Sequence, residues 1–230
     1  MKKLIIILTI LAFGGTTAYA MDMSKHIGFG AWAGGNMPLN GSYSSDLNLS
    51  DAVGFYPFPA VEVKYVVMDK VSIAGNFGYG YMPIKDEKKG EIWPYWENRL
   101  ADLTPALNMP YFSLNGVFNF GPMMKAEDNK LNPFLTAGAG IYMWYFSVNE
   151  RTDKLPHPSN LSEDHKGTSL GINVGGGVEY FAMEMLAVFG RLNYHYVMMK
   201  DEDKFGKDFG NQGFLMFGVG VTYYLPTKTE

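Results

Sequence analysis

The sequence predicts an all-β protein: an eight-stranded antiparallel up-and-down transmembrane β-barrel with long external loops and short periplasmic turns. Eight segments alternate large apolar residues with small or polar ones, as side chains do on the two faces of a strand. Glycine, tyrosine and phenylalanine occur 27, 15 and 16 times, a composition that suits strands better than helices. The connections between the segments alternate long and short, which is typical of such a barrel.

The last strand, from Gly213 to Leu225, sets the pattern. Its odd-numbered positions are large and apolar from Leu215 onward, whereas its even-numbered positions include Gly218 and Gly220. Glycine at alternate positions costs a helix about 1 kcal/mol each, so the segment is a poor helix. Closure of the sheet requires this strand to pair with the first one.

Seven further strands precede the last one. They run from His26 to Gly35, Ala60 to Met68, Val71 to Tyr81, Pro110 to Phe120, Pro133 to Val148, Thr168 to Phe181 and Leu186 to Met198. The polar, proline-marked stretch from about Asn36 to Pro59 is predicted to be a long loop. The alternation of the fifth strand is blurred, so its register stays open. Short connections force their flanking strands to be antiparallel.

The chain begins with the features of a secretory signal peptide. Lys2 and Lys3 precede an apolar run from Leu4 to Phe13, and an A-x-A site predicts cleavage after Ala20. Residues 21–230 then form one outer-membrane barrel domain. The chain has no cysteine, and its 19 basic and 23 acidic residues give a net charge of −4. This acidic balance argues against nucleic acid as a partner.

The composition of the polar face predicts which side is the inside. A soluble barrel shows a highly charged exterior, but this face is rich in Ser, Asn and Gly and carries few charges. Small residues suit the crowded lumen of eight strands, so the apolar face meets lipid. The polar residues predicted to line the lumen are Glu62, Lys64, Asn173, Glu179, Arg191, Asn193 and His195.

Buried charges need partners, so we expect these residues to form a structural network rather than a gate or a proton path. Arg191 and Glu179 lie on neighbouring strands joined by a short turn. When the two strands pair about that turn, Glu179 lies near the level of residues 188–190, diagonally across from Arg191. This position predicts an ion pair between Arg191 and Glu179, directly or through one neighbour.

Aromatic residues at the strand ends predict two interface girdles. The outer girdle comprises Tyr79, Tyr81, Phe112, Tyr142, Trp144, Tyr194 and Tyr196, and the inner one comprises Tyr65, Phe118, Phe120, Tyr180 and Tyr223. The general preference of strands for aromatics explains their presence but not their clustering at strand ends.

Several segments carry a family resemblance. The signal peptide, FLTAGAGIY, GINVGGGVEYF and the ending FGVGVTYYL resemble the outer-membrane β-barrel superfamily that includes OmpA and OmpX, over nearly the whole mature chain. The resemblance implies a place in a Gram-negative outer membrane, among lipid and lipopolysaccharide. It also implies insertion by the barrel-assembly machinery, which reads an aromatic last strand such as Tyr223-Tyr224. The peptidoglycan-binding domain of OmpA has no counterpart, because only PTKTE follows Leu225.

One short motif points to catalysis. His157, Ser159 and Asn160 resemble the His-x-Ser-Asn motif of outer-membrane lipid A deacylases, in which the histidine activates the serine nucleophile. In that family the pair lies on a lipid-facing strand, whereas here it lies in a polar loop. Short motifs match by chance, so no catalytic residue is assigned.

The predicted function is therefore a small outer-membrane barrel with a side-chain-filled lumen and a structural or interaction role for its extracellular loops. The alternatives are a lipid A-modifying esterase that uses His157 and Ser159, or a narrow channel. Trp93 and Trp96 form a candidate loop patch for a partner, because exposed aromatic residues on long loops often contact a ligand or a partner protein. We expect a monomer without a cofactor or a metal site, since the acidic loop groups match no cation-binding spacing.

Overall fold

The computed structural model describes residues 25–44, 47–68, 70–92, 103–120, 131–148, 153–154, 156–157, 160–199 and 210–226. Eight long strands belong to one sheet. They are β1 (His26–Asn40), β2 (Tyr56–Met68), β3 (Val71–Pro83), β4 (Ala106–Asn119), β5 (Leu131–Val148), β6 (Lys166–Met183), β7 (Leu186–Val197) and β8 (Gln212–Pro226). The eight predicted strands are confirmed, with small differences at their ends.

The sheet is closed. Each strand pairs antiparallel with the next, and β8 pairs with β1. In β1, Ala31 lies opposite Val221 of β8 on one side and opposite Val61 of β2 on the other. Backbone polar groups in lipid must be paired within the protein, so closure is the physical condition for this sheet to cross a bilayer. The predicted up-and-down barrel is confirmed.

The two ends of the barrel differ. At one end, short turns join β2 to β3 and β6 to β7, and the chain enters β1 and leaves β8. At the other end, longer connections hold short elements: the helices α1 (Leu49–Ala52) and α2 (Lys89–Ile92), the 3-10 helix Asp86–Lys88, and the strands Ser42–Ser44, Leu47–Asn48, Asp153–Lys154, Pro156–His157 and Asn160–Asp164. Among the described residues, no helix has the length and apolar character needed to cross a membrane.

The predicted loop from Asn36 to Pro59 is shorter than expected, because β1 continues to Asn40 and β2 begins at Tyr56. The prolines in this stretch favoured a loop. Pro59 pairs with β1, but the ladder between β2 and β3 starts only after it, at Ala60. A proline is tolerated where a strand is hydrogen-bonded on one side only. Its nitrogen can then face the side without a partner strand, so that no carbonyl group loses a donor.

The polar face lines the lumen, as predicted. In β2, Glu62 and Lys64 are 2% and 1% exposed, whereas Val61 and Val63 are 53% and 51% exposed. The same alternation recurs around the barrel, so that large apolar side chains cover its outer surface. This exterior has no counterpart in a water-soluble protein, which buries such a face.

The structure settles the register of β5 and corrects part of the girdle prediction. Tyr142 and Trp144 point into the lumen, where they are 0% and 2% exposed, while Ile141 and Met143 face outward. The Trp144 indole N–H donates to Ser169 Oγ at 3.1 Å. The proposal that Tyr142 and Trp144 belong to the outer girdle is therefore wrong. A run of apolar residues on both faces hid the alternation.

The other girdle residues face outward. Near the end with short turns these are Tyr65, Phe118, Phe120, Tyr180 and Tyr223, and toward the other end they are Tyr79, Tyr81, Phe112, Tyr194 and Tyr196. Their position agrees with two belts, and their role at the membrane interfaces stays a prediction.

Candidate functional site

Four buried charges meet across the lumen and form what we call the ionic network: Glu62, Lys64, Glu179 and Arg191. A guanidinium nitrogen of Arg191 lies 2.7 Å from Glu62 Oε2, and Lys64 Nζ lies 2.5 Å from Glu179 Oε1. Lys64 Nζ is also 3.6 Å from Glu62 Oε1, which links the two pairs. Two positive and two negative charges balance, so the ionic network itself carries no net charge.

Alternation and barrel size together bring these side chains into contact. Glu62 and Lys64 are two residues apart on β2 and share its inner face. Glu179 on β6 and Arg191 on β7 approach from across the barrel, since β8 and β1 lie between β7 and β2. An eight-stranded barrel is narrow enough for long side chains to meet in its middle.

Neutral side chains add hydrogen bonds to the network. The Arg191 guanidinium donates to Asn76 Oδ1 at 3.1 Å. The Tyr224 hydroxyl donates to Glu179 Oε1 at 2.9 Å, and Asn132 Nδ2 donates to Glu179 Oε2 at 3.2 Å. Sequence reasoning did not assign Asn76, Asn132 or Tyr224 to the network. Asn76 and Tyr224 lie on the inward faces of β3 and β8, but alternation does not say which inward residues touch.

Aromatic rings flank the two cations. The Arg191 guanidinium carbon lies 4.9 Å from the centroid of the Trp32 ring and 4.8 Å from that of Phe189. Lys64 Nζ lies 5.5 Å from the centroid of Phe134. Cations over ring faces are stabilised, more so when water is excluded, which strengthens the packing of the network.

The predicted pairing of Arg191 with Glu179 is wrong. In the β6–β7 ladder Arg191 lies opposite Gly177, and Glu179 lies opposite Phe189. Each charge finds its partner on β2 instead, so two residues, Glu62 and Lys64, separate them in the network. In a narrow barrel a long side chain can reach a strand across the lumen as easily as the neighbouring strand of the sheet. The geometry of the turn between β6 and β7 does not show which partner it reaches.

An apolar cluster fills the lumen toward the end with the long connections, and we call it the apolar plug. Its part from the connections consists of Leu47, Leu49, Ala52, Val53 and Ile84, and its part from the strands includes Met82, Leu107, Met109, Phe146, Phe214 and Met216. Backbone hydrogen bonds hold α1 over the mouth: Leu49 N–H donates to Gly41 at 3.0 Å and Lys85 N–H donates to Ala52 at 2.9 Å. The plug occupies the lumen between the ionic network and the long connections.

Solved structures share this architecture. Neisserial surface protein A matches with a TM-score of 0.50 and 12% identity, over 86% of this chain and 96% of that one. A major outer-membrane protein of Thermus thermophilus matches with a TM-score of 0.53 and 12% identity, over 86% and 99%. OprG of Pseudomonas aeruginosa matches with a TM-score of 0.52 and 8% identity, over 91% and 100%.

The chain is an eight-stranded barrel of the outer-membrane type. At these identities the comparisons show the fold alone. No family model and no curated protein matches the sequence. The apolar plug lies toward the end of the barrel with the long connections, and the ionic network lies closer to the end with the short turns.

The remaining predicted lumen residues of the barrel lie above the ionic network. His195 Nδ1 is 2.6 Å from the Tyr142 hydroxyl, and both side chains are buried. Asn173 lies opposite His195 in the β6–β7 ladder, and Asn193 lies opposite Gly175 in the same ladder. All three are buried, as predicted, but they are not members of the ionic network.

The deacylase-like motif lies in a connection of the barrel. Pro156–His157 pairs with Asn160–Asp164 after β5 has ended, and Ser159 falls outside the described residues. His157 and Asn160 are therefore not on one of the eight barrel strands. Trp93 and Trp96 also fall outside the described residues. Within the described part of the chain, no three His, Cys, Asp or Glu side chains gather as metal ligands would.

Proposed function

We propose that this chain is a small outer-membrane barrel with a closed lumen, whose function resides in its extracellular loops. One observation carries the proposal: the lumen is filled at two successive levels, by the apolar plug and by the ionic network. A filled barrel serves as a scaffold, and binding residues are commonly found on loops that a rigid scaffold positions.

The ionic network supports a closed lumen on energetic grounds. Passage of an ion requires the side chains of Lys64 and Arg191 to leave their carboxylate partners. Removing one partner of a buried pair typically costs about 3–5 kcal/mol, because it strands the other charge. The apolar plug adds a second barrier, since a dehydrated constriction opposes hydrated ions.

The proposal places the protein in the outer membrane of a Gram-negative bacterium, as a monomer surrounded by lipid and lipopolysaccharide. The apolar outer face supports this environment, and Tyr223 and Tyr224 near the end of β8 fit recognition by the barrel-assembly machinery. No catalytic role is assigned to His157, Ser159 or Asn160, because the described members of the motif, His157 and Asn160, lie in the connection after β5 and not on one of the eight barrel strands.

Planar-bilayer conductance tests the closed lumen. We expect the wild-type barrel to show no steady conductance steps. Glu62→Ala removes the carboxylate that accepts a hydrogen bond from Arg191 and lies 3.6 Å from Lys64 Nζ, and it is expected to introduce noise or brief openings. Val63→Ala, on the lipid-facing side of the same strand, is the control. Stable ohmic steps from the wild-type protein would show a channel and overturn the proposal.

A further inference from the structure

Part of the lipid-facing surface, among the described residues, is recessed, and the closed lumen does not explain this. It is a groove of about 570 Å³, and its floor is formed by Ala31 and Ala33 of β1. Its walls are Val219 and Val221 of β8 on one side and Pro59 and Val61 of β2 on the other. We call it the β1 recess. It crosses the seam at which the first and last strands close the barrel.

The ladder registers explain why the surface is recessed here. Ala31 lies between Val221 and Val61, and Ala33 lies between Val219 and Pro59. Each alanine thus has a larger side chain on both sides at the same level. Ala137 on β5 differs, because its β4 neighbour is Gly116 and only Val174 of β6 rises beside it.

Aromatic side chains bound the recess along β1. Phe29, 52% exposed, stands on the same face toward the periplasm. Toward the outside, Phe55 covers Gly35 and stacks on Phe217 with ring centroids 5.5 Å apart. From Phe29 to Gly35 the strand rises about 20 Å, a large part of the roughly 30 Å hydrocarbon core. The recess is therefore bounded at both ends along β1, at membrane depth.

The chemistry of the slot identifies its occupant. None of its lining residues is charged, and the Tyr79 hydroxyl at one side donates to Asn108 Oδ1. Nothing in the slot recognises a headgroup, whereas a flexible hydrocarbon chain gains dispersion contacts with the floor and both walls. A symmetric dimer whose two-fold axis passed through the recess would place recess against recess and leave a void between the copies, which forfeits such contacts.

We propose that the β1 recess is a binding slot for one acyl chain of a membrane lipid, held longer than the chains around the rest of the barrel. Selection is by shape and length, with no headgroup contact. The slot also covers the closing ladder between β8 and β1, so its occupant packs on the seam of the barrel. This inference rests on the outer surface and does not depend on the closed lumen.

Methyl NMR tests the proposal within a single sample. The protein is deuterated, labelled with ¹³C at alanine methyls, and placed in bilayer nanodiscs of dimyristoylphosphatidylcholine with protonated chains. We expect intermolecular cross-relaxation from chain methylenes to Ala31 and Ala33 to be several-fold faster than to Ala137, which is also exposed on the lipid-facing side. Equal rates at the three methyls would overturn the proposal.

A filled slot provides the matched variant. Ala33→Phe occupies the recess, and we expect cross-relaxation at Ala31 to fall to the level of Ala137. Ala137→Phe adds the same ring outside the recess and should leave Ala31 unchanged. Heat-modifiable gel migration checks that each variant folds. If a variant does not fold, the comparison of Ala31 and Ala33 with Ala137 in the wild-type protein still tests the proposal. A folded Ala33→Phe protein with unchanged Ala31 signals would contradict the proposal.

A second copy of the chain is the competing occupant. Because the chain has no cysteine, Ala33→Cys and Ala137→Cys each carry a single thiol. Under mild oxidation in the same lipid, both variants should form disulfide dimers at similar slow rates. Markedly faster dimer formation by Ala33→Cys would show that a second barrel covers the recess, and the lipid slot would be wrong.

Discussion

Lys64 Nζ on β2 and Glu179 Oε1 on β6 lie 2.5 Å apart, although 115 residues separate them in the sequence. Both side chains are almost completely buried, and the contact spans the lumen. It connects two strands, β2 and β6, that are not paired in the sheet, so we call it the cross-lumen strut.

Removal of this strut should destabilise the barrel strongly. Lys64→Met leaves Glu179 buried without its cation, and we expect a loss of about 3–5 kcal/mol in the free energy of unfolding, less where water enters. The double change with Glu179→Leu should lose much less than the two single changes added together. Urea unfolding in lipid vesicles measures the four proteins, and additive losses would show that the pair contributes nothing.

The same cycle separates true partners from strand neighbours. Glu62 and Arg191 should show coupling of the same order as Lys64 and Glu179, since their atoms lie 2.7 Å apart. Arg191 and Glu179 should couple weakly, because two residues stand between them in the network. Strong coupling between Arg191 and Glu179, with none between Arg191 and Glu62, would contradict the structure.

Gly35 is a second sensitive position. A Cβ at this residue would overlap the ring of Phe55, which packs over it and stacks on Phe217. Gly35→Ala should displace the Phe55 ring from Phe217 and lower the free energy of unfolding by about 0.5–1.5 kcal/mol, the usual contribution of an aromatic pair, and Phe55→Ala in the same protein should make the change at Gly35 nearly neutral. Gly116→Ala is the control, because its nearest neighbour, the Ala137 carbonyl oxygen, lies 3.9 Å away. Equal losses for both alanine variants would refute the contact.

The orientation of Trp144 is open to an optical test. In a protein whose other tryptophans are changed to phenylalanine, Trp144 should emit at short wavelength and resist quenching by lipids with brominated chains, because its ring lies in the lumen. A tryptophan placed at Met143, which is 43% exposed, should be quenched efficiently. Strong quenching of Trp144 would restore the girdle assignment.

The motif in the connection after β5 is expected to be inactive. Incubation of the purified barrel with lipopolysaccharide should release no fatty acid, and Ser159→Ala should behave as the wild type. Release that disappears in Ser159→Ala while the fold is retained would make the protein an esterase.

The alternation along each strand was enough to predict the eight strands and the face that meets lipid. Glu62, Lys64, Glu179 and Arg191 were placed in the lumen from the same pattern. This information is local, because a side chain on a strand has only two faces on which to lie. Where both faces are apolar, as around Tyr142 and Trp144, the pattern does not show which face points into the lumen. The orientation of β5 is given only by its pairing with β4 and β6.

Only the tertiary structure decided which charges pair, where prolines fit and where the outer surface is recessed. Arg191 meets Glu62 because the closed sheet curves β7 toward β2, and no spacing along the chain encodes that distance. Pro59 enters a strand because the neighbouring ladder begins after it. Ala31 forms a floor because its partners on two other strands are valines. Each of these three features depends on the residue that lies opposite on a neighbouring strand or across the lumen. A single sequence determines the composition and the side-chain alternation of each strand, but it does not determine those neighbours.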